Sequence, residues 1–266
     1  MKALLLSAGI GSRLGPITKL WPKCLMPIHG RPLLEYWLSD LSKSSVSKIF
    51  VNLHYLKGTV QRFLERDCFS GLVETLVEKE LLGTAGTIRA LSKELITSTT
   101  LIAHADNWVD INFKELISHH LVLRSNHPGY LMTMVTFDTE NPTESGIVEC
   151  DDAGLVISFH EKSANPPGTR ANGAVYIVEP DLIKWICDRP NISDFSTEVI
   201  PEHLGLIGTY HNERVHRDIG RIESLRKAQS DPRRHTNFDT NDAWSKWFRK
   251  HRVIKLVDRN AEETQV

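Results

Sequence analysis

Two glycines and two cations lie close together near the start of the chain. Gly9 and Gly11 follow the short apolar run Lys2–Ala8, and Arg13 and Lys23 come soon after them. Glycine lets a backbone turn tightly and approach a ligand closely, and successive backbone N–H groups in such a turn bind anions. Arginine adds a fork of donors, and lysine adds a compact charge. This combination predicts a binding site for a polyphosphate.

Neither of the two best-known phosphate-binding signatures is present. The sequence has no Gly-Lys-Ser or Gly-Lys-Thr, which the Walker A loop requires, and Leu14 stands where the dinucleotide fingerprint has its third glycine. A glycine-rich turn after a strand could by itself be an ordinary tight turn. The prediction of a phosphate site therefore depends on Arg13 and on the pair Pro22-Lys23 at this spacing.

A carboxylate follows another apolar strand. Asp106 comes directly after the segment Thr99–His104 and Ala105, and α/β folds bind ligands at the carboxyl ends of their strands. A buried carboxylate there needs a cation, and Mg²⁺ is the natural partner because proteins usually hold it with one or two carboxylates plus substrate phosphates. Taken alone, Asp106 would more often be a helix cap or a turn residue.

The elements that must position these residues alternate between strands and helices in the first half of the chain. We predict strands at Lys48–Leu53, Leu72–Val77 and Thr99–His104, and helices at Val60–Leu64 and Thr84–Leu95. This alternation of strands and helices predicts an α/β fold with a Rossmann-like, doubly wound sheet. The second half favours a small antiparallel extension, with strands at Leu131–Phe137, Gly146–Cys150, Val156–Glu161 and Ala174–Val178 before a helix at Pro180–Ile186.

Composition limits the class of protein. The 266 residues are 41% hydrophobic and carry a formal charge of −1, so no basic field favours nucleic acid. No apolar run reaches the roughly 18–20 residues of a membrane span. The four cysteines are widely spaced without a C-x-x-C, which is typical of reduced thiols. We therefore expect a cytoplasmic protein with no nucleic-acid or membrane partner, which could form a homo-oligomer.

A longer pattern contains the phosphate-binding residues. The string Ser7–Leu14, followed by Pro16, Thr18, Pro22-Lys23, Leu25, Pro27 and Arg31–Leu33, closely resembles the signature of the sugar nucleotidyltransferases, also called nucleotide-sugar pyrophosphorylases. The resemblance implies the mixed-sheet fold of the nucleotide-diphospho-sugar transferases with a sugar-binding extension. It also implies a Mg²⁺-dependent condensation of a nucleoside triphosphate with a sugar 1-phosphate, which releases pyrophosphate.

The resemblance assigns residues to the nucleotide and to the metal. The positions that match the family's nucleotide site are Ala8, Gly9, Gly11, Ser12, Glu78, Gly83 and Thr84. A carboxylate at Glu78 could accept the N1–H and N2–H of guanine, although it could equally be a surface residue of the run Glu78–Glu80. Asp218 resembles the family's second metal-binding aspartate, beside Asp106. The pair His104-Ala105 departs from the usual glycine-based sequence before the metal aspartate.

The sugar 1-phosphate site and the catalytic cations follow from the same resemblance. Gly146, Glu161, Lys162 and Asn172 match positions that bind the sugar phosphate, although Glu161 and Lys162 could instead be an exposed ion pair. Among the cations, Arg13 is assigned to the β- and γ-phosphates, Lys23 to the α-phosphate and the leaving group, and Lys162 to the attacking phosphate.

The chain is most like the guanylyltransferases that act on mannose-type or heptose-type 1-phosphates. Three alternatives stay open: a uridylyl- or thymidylyltransferase, a cytidylyltransferase acting on a non-sugar phosphate, and a non-catalytic homologue that senses nucleotide sugars. We predict a catalytic domain at 1–230 and a helical tail at 231–266. In the tail, Trp244, Trp247, Phe248 and His251 recur at the spacing of one amphipathic helix.

Overall fold

The computed structural model describes residues 1–239 and 241–262, and within the last helix it describes side chains as far as Val257. The strands are β1 Lys2–Leu6, β2 Pro27–Ile28, β3 Arg31–Pro32, β4 Lys48–Leu53, β5 Val73–Val77, β6 Thr100–His104, β7 Asn107–Val109, β8 Met132–Asp138, β9 Gly146–Cys150, β10 Val156–Glu161, β11 Arg170–Val178, β12 Ile207–His211 and β13 His216–Asp218. The helices are α1 Leu33–Ser42, α2 Lys57–Leu64, α3 Thr84–Ala90, α4 Ser92–Leu95, α5 Phe113–Asn126, α6 Pro180–Cys187, α7 Ile222–Ser230, α8 Ala243–Lys250 and α9 Arg252–Glu262.

The predicted α/β class is confirmed, and so is the change from parallel to antiparallel pairing after the first half. The predicted strands β4, β5, β6, β8, β9 and β10 lie within a residue or two of their expected bounds. The predicted helix Thr84–Leu95 is instead two helices, α3 and α4, which are separated at Leu91. Helix α5 and strand β12 were not predicted.

The chain divides into two compact units, and the first comprises Met1–Leu4, Leu81–Ala103 and Ile111–His216. Its central strand is β11, which pairs antiparallel with β6, β8 and β9. Strand β12 pairs parallel with β8, and β10 pairs antiparallel with β9. Strand β8 is buried from Met132 to Thr136, and β11 is buried from Val175 to Val178, as expected for strands that are covered on both faces.

The second unit comprises Leu5–Glu80, His104–Asp110 and Arg217–Val266. Its strands β4 and β5 pair in parallel with Leu53 opposite Val77. Strand β4 is buried from Ile49 onward, and eight of the ten residues of α1 are buried. The unit therefore has its own apolar core. Among the helices that the structure describes, none is long and apolar enough to cross a membrane.

The tail is fixed to the rest of the second unit by a buried arginine. Arg66, whose side chain is 4% exposed, forms ion pairs with Glu35 at 2.7 Å and with Asp242 at 2.6 Å, and it donates a hydrogen bond to Ser245. In its described residues, the tail contains two helices rather than the one predicted, because α8 ends before His251 and α9 begins at Arg252. The division into domains at 1–230 and 231–266 stays a prediction.

Replacement of Arg66 tests this anchor. We expect Arg66→Ala to lower the free energy of unfolding by about 1.5–3 kcal/mol, because the buried Glu35 carboxylate loses one of its two arginine partners and keeps Arg31. Urea denaturation followed by circular dichroism measures this change. Arg62→Ala, on the exposed face of α2, is the control and should change stability by less than about 0.5 kcal/mol. Equal stability of the two variants would contradict the anchoring role.

Candidate active site

The phosphate loop, residues Ala8–Arg13, follows β1 and lies in the second unit. Gly11 has a φ of 67° and forms the N-cap of the 3₁₀ helix Ser12–Ile17. A Cβ atom at Gly11 would lie 3.1 Å from Thr18 Cγ2 and 3.2 Å from Lys23 Cβ. Glycine is therefore needed here both for its left-handed conformation and for the close approach of Lys23. Gly9 and Ser12 are exposed and Ala8 is buried.

Lys23 lies between two carboxylates that are far apart in the sequence. Its Nζ is 2.6 Å from Asp106 Oδ2 and 2.6 Å from Asp218 Oδ1. The Lys23 side chain is 6% exposed, whereas those of Asp106 and Asp218 are 31% and 46% exposed. Arg13 Nη2 lies 3.0 Å from the other oxygen of Asp218. The structure therefore brings together the four charged residues assigned to the triphosphate and the metal.

Backbone contacts position the two aspartates. The N–H of Ala105 donates a hydrogen bond to the Leu6 carbonyl at 3.0 Å, which holds the turn that carries Asp106 beside the end of β1. Asp218 is the last residue of β13, which pairs with β7. A Cβ atom at Gly220 would lie 2.8 Å from Asp218 Oδ2 and 2.9 Å from Arg13 Nη2. A side chain at Gly220 would therefore displace the Asp218 carboxylate and the Arg13 guanidinium group. The substitution of His104-Ala105 for a glycine-based pair leaves Asp106 in contact with Lys23.

The charges of this cluster stabilise one another. Burial alone would lower the pKa of Lys23, but Asp106 and Asp218 outweigh it and raise that pKa above its ordinary value. Burial alone would raise the pKa of Asp106, but the charges of Lys23 and His104 hold that pKa below its ordinary value. Both groups are therefore charged at neutral pH. Two carboxylates and two cations in contact form a site that can exchange its internal ion pairs for phosphates and a metal.

The donor set fits a magnesium ion. Asp106 and Asp218 offer only oxygen atoms, and each approaches the same ammonium group to 2.6 Å. Within the described residues no cluster of three or more His, Cys, Asp or Glu side chains forms a potential metal site. Mg²⁺ commonly takes one or two protein carboxylates and completes its shell with water and substrate phosphates. A pair of aspartates therefore suits this ion better than a metal that needs a full protein shell.

Glu78 is buried, although its neighbours Lys79 and Glu80 are exposed. Its side chain is 4% exposed, and Oε1 accepts a hydrogen bond from Asn52 Nδ2 at 2.9 Å. The alternative interpretation as a surface residue is therefore wrong. The role of Glu78 in base recognition stays a prediction.

Gly83 and Thr84 lie in the first unit, at the start of α3. A Cβ atom at Gly83, whose φ is 74°, would clash with the Ser193 carbonyl oxygen. The Thr84 hydroxyl accepts a hydrogen bond from the backbone N–H of Phe195 at 2.6 Å. Both residues therefore hold this turn against the segment around Ser193, and their contact with a nucleotide stays a prediction.

The first unit also contains the residues assigned to the sugar phosphate. Strands β9 and β10 pair so that Gly146 lies opposite Glu161. A Cβ atom at Gly146 would lie 2.6 Å from Glu161 Oε2 and 2.6 Å from the Phe159 ring. Lys162 has a φ of 48° and lies with Nζ 3.3 Å from Glu161 Oε1. Because its side chain is 66% exposed, this ion pair is weak and can open to receive an anion.

Asn172 lies at an irregularity of β11. Its Oδ1 accepts a hydrogen bond from the N–H of Ala174, and its Nδ2 donates one to the Tyr176 hydroxyl at 2.7 Å. The neighbouring Ala171 pairs with Ile147 of β9. Asn172 therefore stabilises the bulge next to Gly146, and a direct contact between Asn172 and a sugar stays a prediction.

Sequence reasoning missed Asn52. Its amide lies in β4 among buried apolar residues and is hydrogen-bonded on both sides, to Ser7 and to Glu78. The sequence did contain a signal for it, namely an isolated asparagine inside an apolar strand. Such a residue is expected to have specific hydrogen-bond partners, because buried polar groups normally do.

Comparison with known proteins identifies the family. The chain belongs to the nucleotidyl transferase family, whose model matches residues 2–234. It is 30% identical over 207 residues to the mannose-1-phosphate guanylyltransferase catalytic subunit beta of Xenopus tropicalis, an alignment that covers 76% of this chain and 55% of that protein. It is 28% identical over 229 residues to the mannose-1-phosphate guanyltransferase of Candida albicans, which covers 83% and 61% of the two chains. The chain thus spans little more than half the length of these curated relatives.

A solved structure supports the fold. HddC from Yersinia pseudotuberculosis superposes with a TM-score of 0.71 and is 23% identical, and the match covers 86% of this chain and 98% of that one. The predicted type of fold is therefore confirmed.

Proposed function

We propose that the protein transfers a guanylyl group from GTP to a sugar 1-phosphate of the mannose or heptose type and releases pyrophosphate. The observation that carries the proposal is the contact of Lys23 with Asp106 and Asp218 beside Arg13. This arrangement supplies two cations for a triphosphate and two carboxylates for a divalent ion. The names of the curated relatives support guanine and mannose.

The reaction needs positioning more than it needs a base. A sugar 1-phosphate carries nearly two negative charges at neutral pH, since its second pKa is about 6. One of its oxygens attacks the α-phosphorus of GTP in line, a new oxygen–phosphorus bond forms, and the bond to the β-phosphate oxygen breaks. The electron pair of that bond leaves with pyrophosphate. Repulsion between the anions is then the main barrier, and fixed cations lower it.

Each cation has one task in this proposal. Arg13 binds the β- and γ-phosphates, Lys23 stabilises the charge that develops on the leaving group, and Lys162 holds the attacking phosphate. Bound at Asp106 and Asp218, Mg²⁺ would polarise the phosphate oxygens as a Lewis acid. All four cysteines are free thiols, which agrees with a reaction in the cytoplasm.

A pyrophosphate-release assay tests the proposal. It pairs GTP, UTP, dTTP and CTP with mannose, heptose and glucose 1-phosphates, each with and without Mg²⁺. We expect the fastest turnover with GTP and a mannose-type or heptose-type substrate, and only with Mg²⁺. A thymidylyl- or uridylyltransferase would show its own base preference. Folded protein that turns over none of the pairs would overturn the proposal.

A substitution at Gly146 separates the sugar phosphate from the nucleotide. We expect Gly146→Ala to raise the KM for the sugar 1-phosphate about tenfold, because the new methyl group displaces Glu161 and Phe159, and overpacking of this kind shifts side chains. The KM for GTP should change less than twofold. Steady-state kinetics with each substrate varied in turn measures both constants.

Gly168→Ala is the matched control for this substitution. A Cβ atom at Gly168 meets nothing within 4 Å, so this variant should keep both KM values. An unchanged KM for the sugar 1-phosphate in folded Gly146→Ala would contradict the assignment of Gly146 and Glu161 to the sugar site.

A further inference from the structure

Asn52 connects two segments assigned to the nucleotide. Its Oδ1 accepts a hydrogen bond from the backbone N–H of Ser7 at 2.6 Å, and its Nδ2 donates one to Glu78 Oε1 at 2.9 Å. The Ser7 hydroxyl donates to the backbone carbonyl of Asn52 at 2.5 Å. Ser7 directly precedes the phosphate loop, and Glu78 directly follows β5. The Asn52 side chain thus lies between the start of the loop and the carboxylate.

The position of Asn52 is buried and apolar, so the presence of an amide side chain there needs an explanation. Asn52 is 3% exposed, and its neighbours Val51 and Leu53 are buried and apolar. Burial of an amide is unfavourable unless its groups are hydrogen-bonded. An amide offers an acceptor and a donor on one planar group, whereas a carboxylate offers only acceptors and an aliphatic side chain offers neither. The two contacts, to a donor at Ser7 and to an acceptor at Glu78, therefore match an amide and fix its orientation.

The backbone brings the Glu78 carboxylate to this amide. Strands β4 and β5 are in parallel register with Asn52 opposite Leu76 and Leu53 opposite Val77. The N–H of Glu78 extends this ladder by donating to the Leu53 carbonyl at 2.8 Å. Because the backbone of Glu78 is fixed in this way, the hydrogen bond from Asn52 selects the position of its side chain.

We infer that Asn52 is a positioning residue for base selection, which holds the Glu78 carboxylate in the orientation that reads guanine and ties it to the phosphate loop. This inference rests on the proposed function, because it takes Glu78 as the residue that contacts the base. An ionised carboxylate has about four lone-pair sites. One site accepts from Asn52, and the inference assigns two others to the N1–H and N2–H of guanine. Inosine lacks the second donor, and adenine has neither.

Base discrimination tests this role. The dissociation constants of GTP, ITP and ATP are measured by calorimetry in the presence of Mg²⁺ for the wild type, Asn52→Asp and Asn52→Ala. Asn52→Asp keeps the acceptor for Ser7 but replaces the donor by a second negative oxygen facing Glu78. We expect the preference for GTP over ITP and ATP to fall about tenfold or more in both variants, which corresponds to the loss of a hydrogen bond to a charged group. Binding of ITP and ATP should change less than binding of GTP.

Asn212→Asp is the matched control. Asn212 is also buried, at 5% exposure, and its side chain bonds to the backbone of Arg214 and Val215. This variant should lose thermal stability and keep the base preference of the wild type. A purely structural role for Asn52 predicts the same behaviour for the Asn52 variants, and that result would overturn the inference.

The remaining outcomes separate the inference from the proposed function. Thermal melting shows which Asn52 variants are folded. The base preference is judged from Asn52→Asp if it is folded, and from Asn52→Ala if it is not. Wild-type protein that binds the three nucleotides equally well would overturn the inference even if it turned over a sugar phosphate. Selective binding of GTP that is lost in the Asn52 variants would support the inference even if no turnover occurred, whereas the proposed function would then fail.

Discussion

In Lys23→Ala, turnover should fall by about 10²–10³-fold, a loss of the size seen when one preorganised donor to a developing negative charge is removed. Lys23 is held between Asp106 and Asp218 at 2.6 Å from each, so its ammonium group needs little reorganisation to meet the leaving phosphate. The free energy of unfolding should fall by only about 1–2 kcal/mol, because both aspartates reach solvent and solvent screens their repulsion. Pyrophosphate release and urea denaturation measure the two effects.

The matched control for Lys23 is Lys19→Ala. Lys19 belongs to the same segment, and its side chain is exposed, so turnover should stay within about twofold of the wild type. Since Lys23 neutralises two carboxylates, its removal should also make stability more dependent on a divalent ion. We expect Mg²⁺ to raise the melting temperature of Lys23→Ala more than that of the wild type, as linkage requires for a ligand that binds the folded state more tightly. Near-normal turnover in Lys23→Ala would contradict the role given to the phosphate loop.

The sequence was most informative at positions where the residue type allows few structural roles. Glycines after an apolar strand predicted a tight turn, and Gly11 has the left-handed conformation and the close contact with Lys23 that only glycine allows. Asp106 was predicted at the end of its strand from the pattern. Asp218 came only from the resemblance, because no local pattern marks a carboxylate that shares Lys23 with the distant Asp106.

Helix α5 shows why part of the fold was missed. Its buried residues include Leu116, His120 and Leu123, at helical spacing, but the central one is polar. His120 is fully buried because its ring nitrogens bond to Thr133 and Glu179. Leu121 and Val122, next to it, are more than half exposed. The apolar stripe of Phe113, Leu116 and Leu123 is therefore interrupted by a polar residue, and a pattern based on hydrophobicity detects it poorly, since the tertiary partners of His120 decide its burial.

The candidate site was predictable in its residue types and not in its contacts. The sequence offered Lys23 as a phosphate ligand, and the structure shows that it also neutralises both aspartates. It left Glu78 open between a base contact and a surface residue, and burial beside Asn52 excludes the surface interpretation. Such contacts join residues that are distant in the chain, so they follow from strand register and from the paths of turns rather than from local pattern.

Replacement of the Asp106 carboxylate should abolish the metal dependence of the reaction. We expect Asp106→Asn to lower turnover by at least about 10³-fold, since Lewis-acid stabilisation of phosphate charge amounts to several kcal/mol. The amide keeps the size of the side chain, but it removes the negative charge that attracts both Lys23 and a divalent ion. Binding of Mn²⁺, followed by electron paramagnetic resonance, measures the metal site directly, and pyrophosphate release measures turnover.

Asp110→Asn is the matched control for Asp106→Asn. Asp110 lies four residues further along the chain, is 38% exposed, and has Oδ1 at 3.8 Å from Arg234 Nε. Asp110 is paired with Arg234 and not with Lys23. The substitution Asp110→Asn should therefore leave both Mn²⁺ binding and turnover within about twofold of the wild type. Equal losses in Asp106→Asn and Asp110→Asn would mean that the metal binds through the general negative charge of this turn. A loss in both Asp106→Asn and Asp218→Asn, with none in Asp110→Asn, would assign the ion to the two carboxylates that Lys23 bridges.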